Sequence, residues 1–416
     1  MWGANGTVIS SESFAQDMVQ ICSDGAGGAI IAWEDGRGGL GESDIYAQRI
    51  DSVGTIKWTI NGEKISTEVD RQENVQICSD GAGGAILVWE DYRDGLNRHA
   101  YVQRIDADGN VLWDGNGTFV SIGGGHPQII SDGMGGAIIT FAQVDIYAQK
   151  INSTGDLPWG SNVAVCTAGD TQTFPQICSD GAGGAIISWV DYRNMSVTGS
   201  DVYAQRVHQN GSIMWTINGE AISVKSGSQS APQIISDGSG GAIFTWRDSR
   251  GATNDIYAQK VDSNGIVQWT LDGKAICTES ESQSYPEICS DENGGAIVIW
   301  RDYRNGANWD LYAQWIDSNG IVETFNGFPI CTEYEDQYFH QICSDGTGGA
   351  IMVWEDHRDI SEQDIYAQHF ITPEAEEKKD GEAAIPFGSF FLFFTILSVL
   401  SLILIKKSRY SVKGNS

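Results

Sequence analysis

The stretch ICSDGAGGAIIAW, from Ile21 to Trp33, decides the fold because it returns along the chain. It recurs as ICSDGAGGAILVW from Ile77 and ICSDGAGGAIISW from Ile177. Looser copies are IISDGMGGAIITF from Ile129, IISDGSGGAIFTW from Ile234, ICSDENGGAIVIW from Ile288 and ICSDGTGGAIMVW from Ile342. The second glycine of each pair falls at Gly28, Gly84, Gly136, Gly184, Gly241, Gly295 and Gly349, a period of about 54 residues. That period is too long for a leucine-rich or β-helix coil and suits a four-stranded propeller blade.

Each unit divides into four strand-like runs. An alternating PQICSD-like run leads into the Gly-rich turn, where glycines accept φ > 0. The run AIIAWED follows, β-branched and aromatic. After a loop of variable length comes DIYAQRID, then a hairpin such as Asp262-Ser263-Asn264-Gly265, then a Trp-bearing fourth run. No 3.6-residue periodicity appears within the repeats. Trp2 to Ser10 aligns without gaps on Trp58 to Ser66, a fourth run, and the seventh unit stops after its third run at Gln368. Complementary broken ends suit a closed ring, in which the N-terminal strand completes the last blade. The expected fold is therefore all-β: a seven-bladed β-propeller over 1–371, followed by a single transmembrane helix.

Composition agrees. The chain has 416 residues, with 25 Lys+Arg against 55 Asp+Glu, a formal net charge of −30. Hydrophobic residues make up 41% and tryptophans number 14, more apolar and aromatic surface than a disordered chain carries. The acidity disfavours nucleic acid as a partner, since phosphate contacts need clustered Lys and Arg.

The repeats D-G-x-G-G-A-I-x-x-W-x-D-x-R and D-I-Y-A-Q-R, each unit ending in a Trp-bearing strand, resemble propeller-type repeats of secreted and surface-anchored prokaryotic proteins. The resemblance implies fold and location, and no particular reaction.

After the repeats, 372–386 reads as a charged stalk. Residues 387–405 form an uncharged run long enough to span a bilayer as a helix. Lys406, Lys407 and Arg409 open a basic tail at 406–416. The positive-inside rule then puts the propeller outside the cell and the C-terminus in the cytoplasm. The tail also resembles the C-terminal sorting tails of archaeal and bacterial surface proteins, although Ile385-Pro386-Phe387-Gly388 departs from the usual Pro-Gly-Phe form. No signal peptide is visible, because Trp2 already belongs to a blade.

Cys22, Cys78, Cys178, Cys289 and Cys343 share a strand-one position that Ile130 and Ile235 fill elsewhere, so they read as buried packing groups. The spacing also raises bridges Cys166–Cys178, Cys277–Cys289 and Cys331–Cys343. Zinc is disfavoured, since there is no Cys-x-x-Cys and the histidines are scattered. Weak calcium binding by loop carboxylates is the one cofactor reading left open.

Six units carry Trp-x-Asp-x-Arg: Asp35/Arg37, Asp91/Arg93, Asp191/Arg193, Asp248/Arg250, Asp302/Arg304 and Asp356/Arg358. The arginines read either as a ligand-gripping ring or as clamps onto the Asp that opens strand three (Asp44, Asp201, Asp255, Asp310, Asp364), and repetition favours clamps. Unit three breaks the pattern at Phe141 to Asp145, either a cleft in the ring or a deletion. The repeated Tyr and Gln of the Tyr-Ala-Gln runs read as inter-blade packing. The Ser-Asp-Gly turns read as side chains bonding turn amides. Unrepeated aromatics on the variable loops, Trp309, Tyr285, Tyr334, Tyr338 and Phe339, are the better ligand candidates.

The expected function is a membrane-anchored, non-catalytic surface module binding extracellular polysaccharide or protein. One alternative is a glycoside hydrolase or lyase using carboxylates such as Glu279, Glu333, Glu335 and Asp336. Another is a structural cell-surface component.

Overall fold

The structure, a computed structural model, describes residues 7–39, 41–358 and 364–372. It is an all-β, seven-bladed propeller. Six sheets have four antiparallel strands in simple meander order, and the seventh has three among the described residues. Blade 1 comprises Gln16–Ser23, Ala29–Asp35, Asp44–Ile50 and Glu63–Ser66. Blade 6 comprises Gln283–Ser290, Ala296–Asp302, Asp310–Ile316 and Phe328–Cys331, and blade 7 comprises Gln337–Ser344, Ala350–Asp356 and Asp364–Phe370.

The Gly-rich turn has a steric cause. A Cβ on Gly28 would lie 2.3 Å from the carbonyl oxygen of Ile50, so the turn can press on strand three only without a side chain. Asp24 closes the turn by accepting from the amides of Ala26 and Gly28, both at 2.8 Å, as its position in the motif implies. Its second oxygen takes Arg49 of strand three at 2.9 Å.

Consecutive blades bury their facing apolar residues. Ile297 and Ile299 of blade 6 pack with Met352 and Trp354 of blade 7. The Tyr-Ala-Gln runs serve two ends. Tyr46 stacks on Trp33 of its own blade at 6.3 Å. Gln48 bonds inside the blade, to the carbonyl of Thr59 and the amide of Trp58. Tyr203 packs across a seam with Ile138 and Ala142 of the blade before. The expected inter-blade role thus belongs to the tyrosine, while the glutamine works within its blade.

The outward faces of blades 1 and 7 differ from the six packed seams. Ile365 is 75% exposed, whereas Ile256 at the same register position in blade 5 is 0%. Val19, Ile21, Ile351 and Val353 are exposed too. The strand expected to complete blade 7 starts at Trp2, and residues 1–6 lie outside the described residues.

All eight cysteines are free, so the bridges raised by spacing do not form. The Cys166, Cys277 and Cys331 sulfurs lie 3.2, 3.4 and 3.3 Å from Nη2 of Arg193, Arg304 and Arg358. Burial pushes the Cys166 thiol up to about 11. The stalk beyond Thr372, the 387–405 run and the basic tail lie outside the described residues. Among the described residues no helix is long and apolar enough to cross a membrane, and no cluster of three His, Cys, Asp or Glu could hold a metal.

Candidate functional site

The Trp-x-Asp-x-Arg arginines are clamps, but with a different partner from the one the sequence pointed to. Arg37 grips Asp35, two residues before it, with Nε to Oδ1 at 2.8 Å and Nη2 to Oδ2 at 2.6 Å. The same carboxylate accepts from Trp33 Nε1 at 2.7 Å. Nη2 also donates to the carbonyl of Asn61, and the guanidinium lies 3.7 Å from the Tyr46 ring centroid. Arg93, Arg193, Arg250, Arg304 and Arg358 repeat the carboxylate grip and the ring contact. The aspartates are wholly buried, so pairing is what makes their charge tolerable there. Asp44, Asp255 and Asp310, the expected partners, form no ion pair among the described residues, and burial pushes each up to about 6.

Chemical variety sits at the x of the same motif. That position is Glu34, Glu90, Ala142, Val190, Arg247, Arg301 and Glu355 in blades 1 to 7. Opposite it, every first strand is irregular and holds a non-glycine residue in the left-handed region. Met18, Asn74, His126, Phe174, Ala231, Tyr285 and Phe339 have φ between 46° and 56°. Such residues are uncommon and gather where a structure uses the strain. At each of these residues the ladder register shifts, as a bulge requires. In blades 2 and 3 the bulge is tied down by the preceding blade: Glu34 accepts from the amide of Asn74, and Glu90 from that of His126, both at 2.6 Å.

At the seam of blades 6 and 7 the two positions meet differently. Arg301 is the x residue, and its guanidinium lies 4.2 Å from the ring centroid of Tyr285, 4.9 Å from Tyr338 and 5.3 Å from Trp309. It has no ion pair among the described residues, and its Nε is buried without a hydrogen-bond partner. Burial lowers its pKa from the ordinary arginine value. Three of the five ligand aromatics named from sequence thus converge on one cation.

The aromatic wall is held by backbone and carboxylate contacts. Asn308 donates to the carbonyls of Glu333 and Glu335 at 3.1 and 2.8 Å. The Trp309 amide donates to Asp336 Oδ1 at 2.8 Å, and the Trp309 carbonyl accepts from the amide of Gln337. Tyr303 lies 5.1 Å from Trp309, ring to ring. Tyr338 donates to Asp336 Oδ2 at 2.5 Å, a bond to a carboxylate that raises its pKa. Behind the wall, His340 Nε2 donates to the carbonyl of Tyr285 at 2.8 Å. Burial lowers His340 to about 4, so the imidazole is neutral and its Nδ1 is unsatisfied.

Tyr334 and Phe339 flank this cluster in sequence and are both exposed. Of the carboxylates named from sequence, Asp336 belongs to the cluster. Glu279 accepts from Asn326 and lies near Arg304, while Glu333 and Glu335 contribute backbone carbonyls. A hollow of about 650 Å³ lies instead beside Asp170, Tyr192 and Arg193, but its arginine is already committed to Asp191. Sequence reading missed Arg301, Tyr303 and His340. The available signal was the x position, variable in charge inside an otherwise constant motif.

No family model and no curated protein matches the sequence. Several solved structures match the fold at about 10% identity. One is described as a polysaccharide lyase of family PL25, an ulvan lyase bound to -[GlcA(1-4)Rha3S]-, with TM-score 0.52, covering 86% of this chain and 94% of that one. Another is a protein of unknown function from Dyadobacter fermentans, with TM-score 0.48 and coverage of 88% and 97%. A third is an α-L-arabinofuranosidase of Fusarium graminearum with arabinobiose, with TM-score 0.42 and coverage of 72% and 93%. At such identities the likeness is one of fold, and the fold this chain shares is the seven-bladed β-propeller.

Proposed function

We propose that this protein acts on an acidic, uronate-bearing polysaccharide at Arg301, as an enzyme of the lyase class. The observation that carries the reading is Arg301 itself: a half-buried guanidinium walled by three aromatic rings, with no ion pair to a carboxylate among the described residues. Such a cation favours a sugar carboxylate, and the rings favour the flat faces of sugars.

The chemistry follows from the neighbours. Neutralising a uronate carboxylate makes its C5 proton more acidic, because the charge that develops on the carboxylate is stabilised. Tyr285, beside the guanidinium, is placed to take that proton as a phenolate, having first released its own proton to water. Breaking the C5–H bond forms the C4–C5 double bond as the C4–O bond breaks. Tyr338, kept protonated by its bond to Asp336, is placed to donate a proton to the departing oxygen. Asp336 is then a positioning residue. The similar ulvan lyase, bound to a glucuronate-containing ligand, supports this reading over a purely non-catalytic module. The uncharged 387–405 run and the basic residues after it support action at the outer cell surface.

The test is incubation with ulvan, pectate, alginate and a neutral arabinan, read by the ultraviolet absorbance of unsaturated uronate and by new reducing ends. Absorbance with one acidic polymer, lost in Arg301→Ala, is the expected result. Saturable binding without either product returns the protein to the binder reading. New reducing ends without absorbance point to hydrolysis.

A further inference from the structure

The corner Gly123-Gly124-Gly125-His126 joins blade 2 to blade 3 and is untouched by the Arg301 reading. In the other blades the equivalent of Gly124 is a buried glutamine, such as Gln72 or Gln337, whose Nε2 bonds the carbonyls of the loop before it. Blade 3 has neither that glutamine nor that loop. Only Gly123 and Gly124 separate the strands Thr118–Ile122 and Gly125–Ser131.

Arg98 lies against the next residue of this shortened corner, Gly125. A Cβ on Gly125 would sit 2.2 Å from Arg98 Cζ, so the guanidinium lies against bare backbone. Its Nη1 is 3.9 Å from Glu90, and its side chain is 37% exposed. Glu90 also takes the His126 amide at 2.6 Å and the Tyr92 hydroxyl at 3.2 Å. These contacts hold His126 in the left-handed bulge, with its ring 4.7 Å from that of Phe174, the exposed bulge residue of blade 4. Arg71 lies 4.5 Å from the Tyr92 ring and is itself paired with Glu73 at 3.4 Å. Over this corner the loop between strands two and three of blade 3 is cut to Gln143-Val144-Asp145.

The corner thus shares two features with the Arg301 pocket: aromatic bulge residues at the same register positions, and a guanidinium close by, although Arg98 stands just before strand three rather than at the x position and lies 3.9 Å from Glu90. We propose that it is a second carboxylate-sugar subsite. Arg98 contacts the anion, His126 and Phe174 form the stacking wall, and the occupant is a further stretch of the polymer held at Arg301. The inference rests on the lyase reading for its ligand. Its chemistry is recognition only, and no bond is made or broken there.

The probes are the glucuronate–rhamnose-3-sulfate disaccharide and longer fragments of the same polymer, titrated calorimetrically against the full chain. Wild type is expected to bind the longer fragments more tightly. Arg98→Ala and Phe174→Ala should each weaken long-fragment binding by about tenfold, a loss of about 1.4 kcal/mol, and leave the disaccharide unchanged. Arg301→Ala should weaken both. Phe174 is exposed, so its truncation tests the subsite without removing the partner of Glu90. Equal disaccharide and long-fragment affinities, with both blade 2–4 variants silent, overturn the second subsite alone. A wild type that binds neither fragment overturns this subsite for that polymer, and one that also binds neither pectate nor alginate fragments overturns the Arg301 reading with it.

Discussion

Arg301 and Arg304 stand three residues apart on blade 6 and meet opposite surroundings. Arg304 grips the buried Asp302 through two hydrogen bonds and covers Tyr312 at 3.7 Å. Arg301 faces Tyr285, Trp309 and Tyr338 and makes no ion pair among the described residues. Removing each residue should therefore have a different consequence. Arg304→Ala leaves Asp302 charged, buried and unpaired, and should cost about 3–5 kcal/mol. Arg301→Ala should change stability by less than about 1 kcal/mol while abolishing uronate binding. Chemical denaturation of both variants, beside a binding titration, checks the pair. A stable Arg304→Ala would mean that the grip is not structural.

Tyr338→Phe removes the proton donor and keeps the ring. The expected result is a fall in kcat of about 10²-fold or more with KM little changed, the size of a lost general acid. An unchanged kcat would remove Tyr338 from the reaction.

Glu287 supplies a pH test. Six blades carry glutamine at its position (Gln20, Gln76, Gln128, Gln176, Gln233 and Gln341), and Gln233 donates to it at 3.2 Å. Burial raises Glu287 from 4.5 to about 7. A carboxyl raised in the folded state contributes stability below its unfolded pKa and loses it as pH climbs through the folded value. Glu287→Gln should thus be neutral at pH 4.5 and raise Tm above pH 7. A Tm gain that is the same at both pH values would contradict the raised carboxyl.

Ile365 and Ile256 occupy one register position in two blades, and only Ile256 is buried. Ile256→Ala should cost about 2–5 kcal/mol and Ile365→Ala less than about 1 kcal/mol. Equal costs would mean that the outer face of blade 7 is covered in solution.

Charge sets a salt dependence. A net charge of −30 repels an acidic polymer at long range, while the Arg301 contact is local. The Debye length shrinks from about 30 Å at 0.01 M salt to about 10 Å at 0.1 M. Association should accelerate severalfold across that range and slow at higher salt, when the Arg301 contact itself is screened. Stopped-flow mixing checks this, and a rate falling steadily from the lowest salt would argue for a basic docking surface instead.

The repeat itself carries the fold. Gly-Gly pairs recur seven times and Ser-Asp-Gly turns, Trp-x-Asp and Tyr-Ala-Gln six times each; all are local or nearest-neighbour devices, so periodicity alone reveals blades, strand order and turn chemistry. Those devices also explain why the Asp–Arg grip was legible as structural, though its partner was not. Choosing between two aspartates of similar spacing depends on rotamer and depth, which only packing determines. Trp309, Tyr285 and Tyr338 stood out in sequence because they do not repeat. That they meet on Arg301 was decided by tertiary structure. The contact joins a strand-two residue, a strand-one bulge, an inter-strand loop and the next blade, positions that only stacking of neighbouring sheets brings together. The Arg98 corner was visible in sequence only as a missing loop. Its meaning depends on a guanidinium lying against the bare backbone of Gly125, a relation of volume in three dimensions.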